Sequence, residues 1–284
     1  MTMYGAVEAG GTKWVCALAD TDGRIVATEV VPTTTPDETI PAAVGFFRRH
    51  PAPAAVGVAT FGPVDLAAGR ITTTPKPGWS GTDMVTPFRE GLGVPVGLDT
   101  DVNGAAIGEL RHGAGRGLHT LAYMTVGTGI GVGVIVGGRP LHGRTHPEAG
   151  HMRVPHDTAR DPFPGVCPFH GDCLEGLASG TSMRRRWGRP AQELEDGEPW
   201  ELEAEYLALA VHNLAAVVSP QAVIIGGGVG GRPGLLGLVR ARATELAGGY
   251  PLDTVITAPG LGNLSGITGA VELARAALSG NENE

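Results

Sequence analysis

Tyr4–Ala19 reads YGAVEAGGTKWVCALA, and far along the chain Thr120–Val136 reads TLAYMTVGTGIGVGVIV. Each is an apolar run, a Gly/Thr-rich turn and a second apolar run, the pattern of two strands joined by a tight hairpin. The turns are Gly10-Gly11-Thr12-Lys13, preceded by Glu8, and Gly127-Thr128-Gly129-Ile130-Gly131. A single G-x-G carries little information. Its recurrence in the same setting points to two related halves, each donating a glycine-rich hairpin to one ligand. Bare glycine backbone offers N–H groups to phosphate oxygens, Thr12 adds a hydroxyl, Lys13 a charge, and Glu8 a carboxylate suited to Mg2+ through water.

Outward from the first hairpin, a turn at Asp22-Gly23 leads to a third strand over Ile25–Val31, so the chain opens as an antiparallel meander. A helix over Pro36–His50 and a buried strand over Ala55–Thr60 follow, the strand running into Phe61-Gly62-Pro63. A hairpin around Gly69–Thr74 precedes Lys76-Pro77-Gly78-Trp79, where Trp79 suits either an apolar wall of a site or plain core packing. Val94–Leu98 is a short strand that delivers Asp99-Thr100-Asp101-Val102-Asn103 into a helix ending near Arg111. Asp101 can serve as the N-cap of that helix. A carboxylate at a strand end also points into the crevice where α/β sheets bind ligands.

Beyond the second hairpin, the chain predicts a helix over Trp200–Ser219, a strand over Val223–Ile225 and the glycine run Gly226–Gly231. That run would let a flat ring or a phosphate lie on bare backbone. A helix over Leu235–Ala247, a strand over Thr254–Ala258 and a helix over Gly266–Leu278 finish the pattern, and the last four residues, NENE, are expected to fray. Alternating helices and strands predict α/β layering.

The stretch from His146 to Gly180 is different in kind. Cys167, His170 and Cys173 form C-x2-H-x2-C, with His151 upstream, which is zinc-type spacing. Four protein ligands would leave no position for a catalytic water, so such a zinc is structural. Glu148 and Glu175 flank the cluster. His146, His156, Asp157 and Asp161 read as loop surface, with Asp157 an alternative oxygen ligand, and the basic run Arg184–Arg189 as a solvated helix face or an anion contact.

At 284 residues, 42% hydrophobic and net charge −8, the chain can bury a sizeable core, and its charge argues against a nucleic-acid surface. It shows neither a secretory leader nor an apolar run long enough to span a bilayer, so a cytoplasmic location without membrane contact is expected. Three cysteines, Cys16, Cys167 and Cys173, make no disulfide framework, and in a reducing compartment cysteines close to histidine more often bind metal.

Taken together these motifs resemble the ROK family of sugar kinases and repressors over nearly the whole chain, and within it the bacterial fructokinase branch. Glu8–Lys13 is similar to the family's first phosphate motif, Gly127–Gly131 to its second, and Gly226–Gly231 to its adenosine motif. Asp99–Asn103 is similar to the catalytic strand end, and Glu148–His151 with Cys173–Gly176 to the sugar and zinc region. The resemblance implies an α/β, two-domain actin-like ATPase (ribonuclease H-like) fold, each domain a mixed sheet with flanking helices and a cleft between. The divisions would be 1–115 plus 266–284, and 116–265.

It further implies an ATP- and Mg2+-dependent kinase converting fructose to fructose 6-phosphate, with glucose, mannose and N-acetylhexosamines as alternatives within the family. Asp101 would be the general base. Gly10, Gly11, Thr12, Lys13, Thr128 and Gly129 would cradle phosphates, and Gly226, Gly227 and Gly228 the adenosine. Gly62, Asn103, Glu148, His151 and Glu175 would surround the sugar, structural Zn2+ would sit on His151, Cys167, His170 and Cys173, and the protein would be a homodimer. Three departures stand out: Glu8 replaces the family's common Asp, Thr100-Asp101 replaces an Asn-Asp pair, and His170 stands within a usual C-x-C…C zinc arrangement. A sugar-responsive repressor would need a DNA-reading segment ahead of Tyr4, for which there is no room, and a catalytically dead sugar binder is at odds with Asp101 and Lys13.

Overall fold

The computed structural model describes residues 2–250 and 253–280. NENE, expected to fray, lies outside the described residues. In chain order the strands are β1 (Tyr4–Ala9), β2 (Lys13–Ala19), β3 (Ile25–Pro32), β4 (Ala55–Thr60), β5 (Val64–Asp65), β6 (Arg70–Ile71), β7 (Val96–Thr100), β8 (Leu121–Val126), β9 (Ile130–Val136), β10 (Arg139–Pro140), β11 (Ala222–Gly226) and β12 (Val255–Thr257). The helices are α1 (Pro36–Arg48), α2 (Thr86–Leu92), α3 (Asp101–His112), α4 (Leu174–Ala178), α5 (Gly180–Trp187), α6 (Glu198–Val218), α7 (Gly227–Gly230), α8 (Leu235–Ala247) and α9 (Ser265–Leu278).

The chain divides into two compact units. The first takes residues up to Gly113, Pro140–His146 and the chain from Asn263 on; the second takes Ala114–Arg139 and Pro147–Gly262. The division expected from sequence has no return of Pro140–His146 to the first unit.

In the first unit the sheet order is β3-β2-β1-β4-β7. β1, β2 and β3 pair antiparallel, while β1, β4 and β7 run parallel. Strand alternation sorts side chains by size. Val7, Trp14, Cys16, Leu18, Val56 and Val58 join Ile40, Phe46 and Phe47 of α1 in one core cluster. Ala6, Ala17, Ala19 and Ala59 join Ile267, Ala270, Val271 and Leu273 of α9 in another.

The register explains how α9 sits so close. Ala17, Ala6, Gly57 and Gly97 are successive cross-strand partners and form a row of small residues across the sheet. A methyl placed on Gly57 would stand 1.9 Å from the Ala270 carbonyl oxygen, and one on Gly97 2.4 Å from that of Leu273. α3 meets α9 in the same way, since a methyl on Gly269 would lie 1.7 Å from the Gly104 carbonyl oxygen. Backbone thus rests on backbone, which fixes α3 and its first residue, Asp101, relative to the sheet.

The second unit repeats the plan, with sheet order β10-β9-β8-β11-β12. Again the first two strands pair antiparallel and the later ones parallel. The buried helix α6 contributes Trp200, Tyr206, Leu207, Val211 and Leu214 to a core with Met124, Val132, Ile225 and Leu235. The internal echo read from the two hairpins is therefore an echo of whole sheets. No helix among the described residues is long and apolar enough to cross a membrane.

Two local expectations change, and the alternative left open at Trp79 is resolved. The ribbon expected around Gly69–Thr74 pairs β5 with β6 and so begins earlier in the chain. Trp79 is fully buried, 5.6 Å from the Trp14 ring and 5.4 Å from that of Phe61, and its indole donates to the Thr34 carbonyl at 2.9 Å. It is a core residue. The basic run divides: Arg184 and Arg185 are exposed, but Arg186 is inserted onto Asp161, its Nε donating to Oδ1 at 3.1 Å.

Candidate active site

The first hairpin closes between Ala9 and Trp14, which are cross-strand partners. Gly10 uses its own N–H inside the turn, donating to the Lys13 carbonyl at 3.0 Å, so it shapes the loop and has no amide to offer an anion. Gly11, Thr12 and Lys13 are exposed, and a methyl on Gly11 would meet nothing. Glu8 is half-buried at the end of β1, its carboxyl lying against Gly266. Burial pushes that carboxyl up and the nearby Lys13 charge partly offsets the shift.

The second hairpin is built alike. Gly127 donates inside its turn to the Gly129 carbonyl at 2.9 Å, while Thr128 is exposed. It is also braced from outside. Glu175 of α4 accepts from the Ile130 amide at 3.1 Å, and its carboxylate oxygen would stand 2.5 Å from a methyl on Gly129. The Gly180 amide donates to the Gly127 carbonyl at 2.7 Å, and the Thr181 hydroxyl to that of Thr128 at 2.8 Å. Glycine at 129 leaves room for the Glu175 carboxylate. Sequence reading found Glu175 but not this brace.

Gly226–Gly231 is not a loose run. Gly227–Gly230 forms one helical turn, and a methyl on Gly226 would collide with the Tyr123 hydroxyl at 2.6 Å. Gly227 sits at φ +87°, and a methyl there would strike the Val126 carbonyl oxygen at 2.4 Å. Gly227 and Gly228 are exposed. The glycines bring this turn against β8 and leave two backbone units open.

Asp101 is the first residue of α3 at the carboxyl end of β7. Thr100, not Asp101, caps the helix, its hydroxyl accepting from the Asn103 amide at 3.1 Å. Relieved of that task, Asp101 is partly exposed, with one carboxylate oxygen near its neighbouring Val102 amide at 2.8 Å. Asn103 is buried and turns its side-chain amide to Asp99, donating to Oδ1 at 2.8 Å. Gly62 precedes Pro63 across a cis peptide bond just past β4.

His151, Cys167, His170 and Cys173 come together in the second unit, their ligand atoms all within 4.8 Å of one another. Cys167 Sγ is 3.6 Å from Nδ1 of both His151 and His170, and Cys173 Sγ is 3.5 Å from Nδ1 of His151. The two thiols are buried and His170 is exposed. The cluster can hold a metal ion; Asp157 lies outside it and accepts from the Ala159 amide of its own turn. Glu148, adjoining the cluster in sequence, keeps an edge open to solvent, yet partial burial and the Glu175 charge push its carboxyl up. Cys16 is a buried thiol pushed up to about 12, chiefly by burial, and is not part of the cluster.

The residues assigned to loop surface are mostly buried. His146 is 6% exposed and its Nε2 accepts from the Val64 amide at 2.9 Å. Asp161 is 4% exposed and takes hydrogen bonds from Tyr206, at 2.6 Å, and Arg186. His156 is enclosed beside it, Nε2 2.9 Å from the Asp161 carbonyl oxygen. Polar residues in a loop look exposed in sequence. Here they satisfy one another beneath it.

Two sheets of one topology, each with a glycine hairpin between its first two strands, define the actin-like class of sugar phosphotransferases. The chain belongs to the ROK family, whose model matches residues 4–277. It is similar to a fructokinase of Zymomonas mobilis, 47% identical with 97% of each chain covered. Among solved structures it resembles a ROK hexokinase from Thermus thermophilus, with TM-score 0.82 and 28% identity over 98% of this chain and 99% of that one. It also resembles a ROK glucokinase from Streptomyces griseus in complex with glucose and AMPPNP, with TM-score 0.79 and 29% identity over 96% and 99%.

Proposed function

We infer that the protein is an ATP-dependent hexose kinase whose substrate is fructose, forming fructose 6-phosphate and ADP. The observation that carries the kinase reading is the placement of equivalent glycine hairpins in two sheets of identical order. The fructose reading rests on the 47% identity to a fructokinase.

In phosphoryl transfer the protein mainly positions groups and balances charge. Backbone amides of Gly11, Thr12, Thr128 and Gly129 would receive phosphate oxygens, with Lys13 adding charge and Gly10 holding the turn. Gly227 and Gly228 would take the adenosine on their backbone, with Gly226, buried at the end of β11, setting the turn against Tyr123. Asp101 would accept the proton of the attacking hydroxyl as the oxygen–phosphorus bond forms, leaving ADP as the departing group. Its position at the head of a capped helix, with the capping duty held by Thr100, supports that role. Glu148 and Glu175 would accept hydroxyl hydrogens of the sugar, His151, held on the metal through Nδ1, would donate its Nε2 hydrogen to a hydroxyl oxygen, Gly62 would allow the sugar close approach, and Asn103 would hold the frame behind Asp101. A hydroxyl missing or inverted would lose its hydrogen bond to one of these groups.

Mg2+, when bound, supplies positive charge to the phosphates, and Glu8 would hold it through water. Sulfur–nitrogen distances of 3.5–3.6 Å fit a tetrahedral Zn2+, since zinc bonds of about 2.3 Å to sulfur and 2.0–2.1 Å to nitrogen put such atoms about 3.6 Å apart. His151, Cys167, His170 and Cys173 would hold it as a structural ion that fixes the loop. A homodimer in the cytoplasm completes the proposal, and sedimentation of the purified protein tests the former.

A coupled ADP-release assay over fructose, glucose, mannose and N-acetylated hexosamines tests the reading. It predicts the highest kcat/KM on fructose, and no turnover on any hexose would overturn it.

A further inference from the structure

The segment that the second unit returns to the first, Pro140–His146, carries two histidines four residues apart, and both are docked. His146 accepts from the Val64 amide at 2.9 Å. His142 turns its ring toward the end of β7, where Nε2 lies 3.2 Å from Oδ2 and 3.3 Å from Oδ1 of Asp99 and 3.2 Å from the Asn103 side-chain nitrogen. Asp99 is fully buried. Its Oδ1 receives the Thr100 amide at 2.7 Å and the Asn103 side chain at 2.8 Å. Oδ2 has no aligned donor, so the contact there is an ion-pair distance and not a directed hydrogen bond.

A buried carboxylate needs opposing charge, and the ion-pair partner that Asp99 has among the described residues is His142. Facing two carboxylate oxygens, Nε2 carries a proton; the Asn103 contact beside it is a neighbour of two donors to one carboxylate. The titratable groups around the ring include Asp99 of β7 and His146 of its own segment.

We propose that His142 is a positioning residue for the kinase reaction: by holding Asp99 and, through it, Asn103, it sets the first turn of α3 and so the aim of Asp101. This rests on the kinase reading of the preceding section. His142 acts two residues behind the proposed base, through the strand end that precedes it and the third residue of its helix. It is not a catalytic residue, because its contacts are protein groups. When its ring is protonated it also sets a positive charge beside the buried Asp99 carboxylate. The Asp99 hydrogen bond raises the His142 imidazole above its ordinary range, partly offset by burial, in keeping with a cation held there.

The test is a double-mutant cycle of His142→Ala and Asp99→Asn, read as kcat and KM, together with a nitrogen-15 NMR titration of the His142 imidazole. If His142 acts through Asp99, His142→Ala lowers kcat about ten-fold or more while the KM for ATP stays within about two-fold. The same change made on the Asp99→Asn background costs nothing further, and in Asp99→Asn, where burial alone still acts, the raised imidazole pKa falls to its ordinary range or below. His142→Gln, a neutral donor of similar reach, recovers part of kcat and removes the alkaline loss of activity that follows imidazole deprotonation. An active wild type whose His142→Ala and His142→Gln variants both keep wild-type kcat and pH profile overturns the proposal alone. Additive losses in the cycle also overturn it. A wild type without turnover on any hexose overturns the kinase reading and a catalytic setting for His142 with it, whereas the NMR arm still decides whether His142 grips Asp99.

Discussion

The Glu175 carboxylate accepts the amide hydrogen of Ile130 at 3.1 Å, so a residue expected to bind the sugar also braces the second glycine hairpin. With the roles proposed for Glu175 and for this hairpin, one side chain would couple the two substrates. Replacing Glu175 by Ala strands the Ile130 amide, at about 1–3 kcal/mol, which is about 5- to 150-fold in a binding or rate constant. Steady-state kinetics should show KM rising for both ATP and fructose in Glu175→Ala, with Glu175→Gln milder because its carbonyl still accepts. A rise for the sugar alone would dissolve the coupling.

The two docked histidines titrate in opposite senses. His142 is raised by its hydrogen bond to Asp99, so its contribution to stability is complete below the unfolded value of about 6.5 and is lost as pH rises through the raised value. His146 is lowered by burial, with a smaller push up from Asp99. As an acceptor for Val64 it must stay neutral, so stability falls as pH drops below about 6.5 and the unfolded chain gains a proton that the folded one refuses. Melting temperatures measured from pH 5 to 8 should show the acid loss reduced in His146→Gln. In His142→Gln the deficit relative to wild type should be largest at low pH and shrink toward high pH.

Close backbone packing under α9 gives a stability prediction. Gly269→Ala would place a methyl 1.7 Å from the Gly104 carbonyl oxygen. The helices must separate, at about 1–3 kcal/mol. Urea unfolding should show a lowered midpoint at unchanged slope, whereas Gly237→Ala, where a methyl meets nothing, should be neutral or slightly stabilising.

Stoichiometric zinc should be found by elemental analysis of protein purified without chelator. Cys173→Ser should lose it and melt at lower temperature, because metal binding contributes directly to folding. Protein carrying no zinc but melting like the wild type would remove the metal from the account.

Much of this was legible because strands and glycine turns leave local marks. The hairpins at Glu8–Lys13 and Gly127–Gly131, the strand Ala55–Thr60 and the helix Leu235–Ala247 follow from apolar runs and their punctuation. The four metal-type ligands follow from spacing. What sequence reading missed depends on partners distant in the chain. His142 and Asp99 stand 43 residues apart, and neither has a mark of its own beyond being polar at an element end. His146 and Asp161 read as surface because their buried partners, Val64 and Tyr206, are invisible locally. The same limit hid the division of labour at α3. Ser, Thr, Asn and Asp all cap helices well, and only coordinates show that Thr100 takes the cap and releases Asp101.

The central claim is that Asp101 takes the proton of the attacking hydroxyl, and kcat of Asp101→Asn on fructose with ATP tests it most directly. General-base catalysis contributes about 100- to 10,000-fold, so the substitution should lower kcat by at least about 100-fold while circular dichroism and fructose binding stay near wild type. A folded Asp101→Asn variant with kcat close to that of the wild type would contradict the account.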